Sequence, residues 1–261
     1  MSLFGGTLFE VEQRGYSITT SLSSALFGAI VLFSTFFSSK HGGAQNTVRE
    51  NLQSFDNRYL HFGFLLSANS SSFFMDFNPD FNYKDSLLAI DNVPQAGFNL
   101  ALMSSINPSK NVNIRFVPGL SFQDRGLSYT FRQSNDEIKT YLKRTESVWL
   151  QFPLLLKFRT NRAGNFAAYA LFGGSLDVDM QSQKDVDENV AGKIVIKLEK
   201  TNYTLDAGGG LDFFLPYFKL GVEMKTCFGM KNLLIQEENQ FTSPISKLRT
   251  RAFVFSVSFE G

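Results

Sequence analysis

Cysteine is almost absent from the 261-residue sequence, with Cys227 alone, which excludes an internal disulfide and a thiolate metal cluster. Histidine is nearly as scarce, with His41 and His61 only, so little remains for general-base or metal chemistry. An excess of either charge is missing too: 25 Lys and Arg stand against 24 Asp and Glu. With no basic block, the electrostatic footprint of a nucleic-acid binder is lacking. Charged residues make up only 19% of the chain, too few for a disordered polyampholyte. The sequence also lacks an apolar run long enough for a membrane-spanning helix, which needs about 20 residues. What it has in quantity is phenylalanine, 29 residues beside 8 Tyr and 1 Trp. Phenylalanine carries no polar handle and requires an apolar surrounding, so a large apolar surface has to be covered.

The longest uncharged stretch, residues 25–37 (ALFGAIVLFSTFF), has the length of a signal-peptide core. Arg14 precedes it, and Gly42, Gly43 and Ala44 follow as small residues, so cleavage is expected after Ala44, leaving 217 residues exported. The region before the core is long; either translation starts downstream of Met1 or the leader is extended. No cysteine follows the core, so a lipoprotein anchor is not expected. The domains expected are a leader (1–44), an N-terminal arm (45–59) and one β domain (60–261).

Beyond the arm the chain shows period-2 alternation rather than helical periodicity. Eight segments qualify: residues 60–68, 96–106, 112–122 with an extension toward 131, 147–159, 166–180, 203–214, 217–229 and 251–259. One face is large and apolar, carrying Phe62, Phe64, Phe98, Phe116, Phe152, Phe253, Phe255 and Phe259; the other is small, polar or charged. Links alternate in length. Short, turn-rich links join strands 2–3, 4–5 and 6–7, whereas residues 69–95, 132–146, 181–202 and 230–250 form long polar links. An even strand number with short turns at one end and long loops at the other is the layout of an outer-membrane barrel.

A soluble eight-stranded barrel would show similar alternation with its apolar face inward. Two features favour the membrane. The apolar side chains are uniformly large, whereas a narrow eight-stranded interior needs small residues among them. The opposite face carries Arg115, Lys157, Asp206, Asp212, Lys219, Glu223 and Lys225. Such charges can pair within a lumen, but a Lys or Arg facing lipid at the midplane costs about 2–4 kcal/mol. Arg115, Lys157 and Lys219 facing Asp206, Asp212 and Glu223 are expected to form a salt-bridged plug rather than line an open channel.

Three blocks carry a family resemblance. NLQSFDNRYLHFGFLLSANSSSFF (residues 51–74), GFNLALMSSINPSKNVNIRFVPGLSFQDRGLSY (97–129) and QFPLLLKFRTNR (151–162) resemble, in order and spacing, the PorT family of outer-membrane barrels. The resemblance implies an eight-stranded transmembrane barrel of a Gram-negative outer membrane. It further implies a non-enzymatic component of the type IX secretion system, which also supports gliding motility, and other components of that system as partners. The sequence departs from the family pattern at Leu66-Ser67-Ala68-Asn69 and in SLDVDM after Gly174.

Chemistry outside the plug is sparse. His61 lies on the polar face of the first strand with no motif placing a nucleophile or carboxylate beside it, so a lumen or rim hydrogen bond is expected. Residues 185–189 (DVDEN) begin like a calcium loop, but Val190 stands where the turn needs glycine. Gly208-Gly209-Gly210 has no following helix and reads as close backbone approach, and Cys227 reads as a lumen filler. No catalytic residue, metal, cofactor or small-molecule substrate is expected. The expectations are an all-β, eight-stranded antiparallel up-and-down transmembrane barrel surrounded by outer-membrane lipid, with both termini periplasmic. The arm and turns would be the periplasmic surface open to partners. The rival readings are a structural or adhesive barrel with binding loops and a soluble periplasmic ligand-binding barrel.

Overall fold

The computed structural model describes residues 50–78, 87–133, 137–181, 197–236 and 242–261. The leader with Ala44 and the acidic segment 185–190 lie outside the described residues. A short 3-10 turn, Phe55–Asn57, precedes β1 (Leu60–Phe77), β2 (Leu87–Ser109), β3 (Val112–Phe116), β4 (Gly119–Arg132), β5 (Ile138–Arg159), β6 (Phe166–Asp179), β7 (Thr201–Phe214), β8 (Lys219–Gly229) and β9 (Ile245–Glu260). All pairings are antiparallel, and β1 pairs with both β2 and β9, so the sheet closes on itself and has no free edge.

Nine strands make eight staves. Only Val117 and Pro118 separate β3 from β4, and the neighbours keep one register across the gap. Phe116 faces Ser104 and Leu154, while Gly119 faces Ala101 and Gln151. Pro118 has no N–H to give the ladder, so the hydrogen bonding lapses without a residue being inserted. Its carbonyl still accepts from the Leu102 N–H at 2.9 Å, and the Val117 N–H donates to the Pro153 carbonyl at 3.1 Å. The fold is the all-β, eight-stranded, up-and-down antiparallel barrel that the alternation implied.

The outer face of the wall is a continuous apolar band. Phe62, Phe64, Phe98, Phe116, Phe253 and Phe255 point away from the lumen and are 41–64% exposed. Phe152 and Phe259 share that face but are half-buried, with Phe259 stacked on Phe64 at 4.8 Å between ring centroids. In water so large a contiguous apolar surface would drive association; against hydrocarbon it costs nothing. Among the described residues no helix is long and apolar enough to cross a membrane, and here the strands carry the apolar surface.

The strands are longer than the alternation indicated. β2 and β5 run for 23 and 22 residues, about twice the 9–11 that a membrane-crossing strand needs. Much of the expected links 69–95 and 132–146 is therefore strand. The reason lies in β4. Its inward positions read Ser121, Gln123, Arg125 and then Leu127, Tyr129, Phe131, whereas its outward positions read Leu120, Phe122 and then Asp124, Ser128, Thr130. Where the wall leaves the apolar band the two faces exchange character, because water replaces lipid outside and a core can form within. That core joins Phe73, Leu87, Leu127, Tyr129, Phe131, Trp149, Leu198, Leu233, Leu234, Ile245 and Leu248.

Candidate functional site

The lumen of the banded part of the barrel is filled by charged and polar side chains, many of them in ion pairs. The inward-facing residues of β3, β5, β7, β8 and β9 meet near the turn end, where three cations face three carboxylates. Lys157 Nζ lies 2.5 Å from Asp212, Lys219 Nζ 2.6 Å from Glu260, and Arg115 3.1 Å from Glu223 and 3.5 Å from Glu260. Tyr169 donates its hydroxyl to the same Glu223 oxygen at 3.2 Å and offers its ring to Lys157 Nζ, 3.7 Å from the centroid. The ring has room because β7 carries Gly210 opposite it: a β-carbon there would strike both the Tyr169 ring and the Val222 carbonyl. All six charged side chains are at most 4% exposed. At such burial unpaired charges would be prohibitive, and equal numbers of each sign make the cluster tolerable.

A second cluster sits further along. Lys225 Nζ reaches Asp206 at 3.1 Å, Thr204 donates to Asp206 at 3.0 Å, and Ser175 donates to Asp177 at 2.5 Å. On the opposite wall the lumen is filled by amides and hydroxyls, with Asn69 donating to Asn99 at 2.6 Å and Ser121 donating to Asn99 at 2.5 Å. A void between Arg115, Gln151 and Glu223 measures about 20 Å³, room for about one water molecule.

All six residues expected in the plug are buried in the lumen, but not as one network. Asp206 belongs with Lys225, away from the turn-end cluster. In the turn-end cluster the residue missed is Glu260, which bridges Arg115 and Lys219. Its signal was present, since Ser256, Ser258 and Glu260 continue the inward alternation of β9 by one step. Cys227 lies on the inward face of β8, half-buried. Among the described residues no group of three or more His, Cys, Asp or Glu could hold a metal ion.

Both ends of this lumen are closed. At the turn end the arm folds back: Phe55 is 4% exposed and packs with Phe214 and Ala167. Its ring stacks on His61 at 3.8 Å and lies 4.6 Å below Lys219 Nζ. Asp56 pairs with Arg159 at 2.8 Å and Arg162 at 2.6 Å. The backbone N–H of Asn51 donates to Asn165 at 2.8 Å, and Arg162 donates to the Asn51 carbonyl at 2.9 Å. His61 thus sits at the rim, its Nε2 3.1 Å from the Arg58 carbonyl. Residues 51–58 are docked into the mouth. At the loop end Leu198, Leu233 and Leu234 enter the apolar core from segments outside the staves. Asn232 holds them there by accepting from the N–H groups of Leu234 at 3.2 Å and Leu248 at 2.8 Å.

No curated protein sequence matches the chain. Among solved structures it is similar to OprG from Pseudomonas aeruginosa, with 13% identity over 77% of this chain and 94% of that one at a TM-score of 0.43. Neisserial surface protein A has 10% identity over 76% and 96%, TM-score 0.41. The attachment invasion locus protein Ail of Yersinia pestis has 13% identity over 78% and 100%, TM-score 0.37. A family model described as outer membrane protein beta-barrel domain matches residues 43–234, most of the chain and all but the last of its strands. The closed eight-stave wall, its lipid-ready outer band and that match agree: the chain belongs to the outer-membrane β-barrel domain family.

Proposed function

We propose that the protein is a non-enzymatic outer-membrane barrel that works through its two ends rather than by passing solutes. The resemblance of residues 51–74, 97–129 and 151–162 to the PorT family supports the finer reading, an assembly or scaffolding role required for type IX secretion. In this reading the short turns and both termini face the periplasm and the long strand extensions project outside. The observation that carries the proposal is the closure of the lumen, by Phe55 at one end, the apolar core at the other, and paired charges between. A path so filled leaves only surfaces for function.

Two measurements test it. Reconstituted in planar bilayers, the full chain is expected to give no steady conductance; a constant open-channel current refutes the non-transporting part. Deletion of the gene is expected to remove from the medium the cargo that carries the type IX C-terminal sorting domain, with recovery on complementation. An unchanged secretome refutes the secretion role. A second reading, an adhesive barrel with binding loops, is supported by the strands that run past the apolar band and by the Leu233 and Leu234 platform packed on them.

A further inference from the structure

On one side of the wall the apolar band is interrupted by a furrow. It crosses β1, β9, β8 and β7, has a volume of about 400 Å³, and is bordered by Ala68, Ser70, Ala207, Met224, Phe253 and Phe255. Paired register explains its shape. Ala68, Phe255 and Met224 form one outward row, and Ser70, Phe253, Thr226 and Ala207 form the next. The small side chains of Ala68, Ser70 and Ala207 leave the backbone as a floor, walled by two phenylalanines and a methionine.

The next rows toward the loop end are basic. Arg251, Arg249 and Lys247 occupy successive outward positions of β9. Arg251 is exposed and its guanidinium lies over the rings of Phe253 at 4.7 Å and Phe228 at 5.7 Å, which points it back over the furrow. Among the described residues neither Arg251 nor Lys247 forms an ion pair; Asp76, opposite Lys247 in the β1 register, pairs with Arg249 at 2.9 Å. The ladder is not a general feature of this level: where β4 and β5 leave the band they present Asp124 and Glu146, directly opposite each other. One flank of the barrel is therefore cationic at the lipid boundary, whereas the β4–β5 flank sets Asp124 and Glu146 beside the exposed Arg144.

We infer that this flank binds a phosphate-bearing outer-leaflet lipid of the lipid A class, with an acyl chain in the furrow and a phosphate on Arg251. An arginine held over aromatic rings at the edge of hydrocarbon is suited to a phosphate, since its planar donors remain free while its faces are packed. A soluble anion would have no use for the furrow, and an uncharged acyl chain would have none for the ladder. The inference needs the outer band to lie in lipid and the loop end to face outside; it does not depend on the secretion role.

The full chain, purified from outer membranes in non-ionic detergent, is assayed for retained lipid by mass spectrometry. Its heat-unfolding midpoint is measured with added bis-phosphorylated lipid A, dephosphorylated lipid A, a zwitterionic phospholipid or inorganic phosphate. Only the phosphorylated lipid A is expected to raise the midpoint. Arg251→Gln is expected to lower its retention about fivefold or more, and Ala207→Phe, which fills the furrow from the outside, is expected to lower it likewise. Heat-dependent gel mobility confirms that each variant is folded. Equal stabilisation by dephosphorylated lipid, by the zwitterionic phospholipid or by inorganic phosphate overturns the inference, as does undiminished retention in both folded variants. The lipid series on the unaltered protein decides the matter even if a variant fails to fold.

Discussion

Replacing Asp212 by Asn is expected to destabilise the folded barrel by about 3–5 kcal/mol, the cost of leaving a buried cation without its partner. Lys157 and Asp212 are 1% and 0% exposed, so water cannot take over from the lost carboxylate. The other carboxylates of the cluster are already engaged, Glu260 by Lys219 and Arg115 and Glu223 by Arg115 and Tyr169. Lys157→Met alone is expected to cost a similar amount by stranding Asp212. The double variant, Lys157→Met with Asp212→Leu, removes both charges together and is expected to lie within roughly 1 kcal/mol of the parent or to exceed it. Urea titration in detergent micelles, followed by heat-dependent gel mobility, measures all three. The exposed Asp76–Arg249 pair, 40% and 36% accessible, provides the contrast, since Asp76→Asn is expected to change stability by less than about 1 kcal/mol. Additive single-variant effects in the double variant would mean that Lys157 and Asp212 do not act as a pair.

Phe55→Ala is expected to release the arm from the mouth while leaving the barrel folded. Phe55 buries almost its whole ring between His61, Phe214 and Lys219, and such burial stabilises by about 1.5–3 kcal/mol. Opening of the docked segment should then be roughly 10- to 100-fold more frequent, because each 1.4 kcal/mol is tenfold in the opening equilibrium. Trypsin cleavage after Arg58, on the membrane-reconstituted protein with the arm facing the protease, reads this directly. The parent should be cut slowly and the variant faster by that factor, with heat-dependent mobility unchanged. Equal cleavage rates would mean that the arm is held by the ion pairs of Asp56 and the hydrogen bonds of Asn51 rather than by Phe55.

Much of this molecule is legible along the chain. Large apolar residues at every second position through residues 60–68, 147–159 and 251–259 imply strands with one lipid face, and a lumen-side Arg115, Lys157 or Glu223 follows from parity alone. Glu260 was equally legible, one step past Phe259. Pairing was not, because partners such as Arg115 and Glu223 lie 108 positions apart and meet only when the ring closes. Asp206 shows the limit: it shares the inward parity of Asp212, yet the tilt and register of β7 against β8 set it opposite Cys227 and within reach of Lys225.

The same limit governs both ends of the barrel. β4 keeps strict alternation from Leu120 to Phe131, but its apolar parity moves from Leu120 and Phe122 to Leu127, Tyr129 and Phe131. Read alone, that change looks like the end of a strand or a bulge, since period-2 patterns carry no record of which solvent lies on each side. By itself the sequence determined the strand count, the closed antiparallel class and the inward parity of the charges, all of which depend on local period and nearby turns. Tertiary structure alone decided which charges pair, that strands continue past the lipid band around a core of their own, and that Phe55 closes the mouth. Those outcomes depend on contacts between residues far apart in the chain, and no local pattern specifies them.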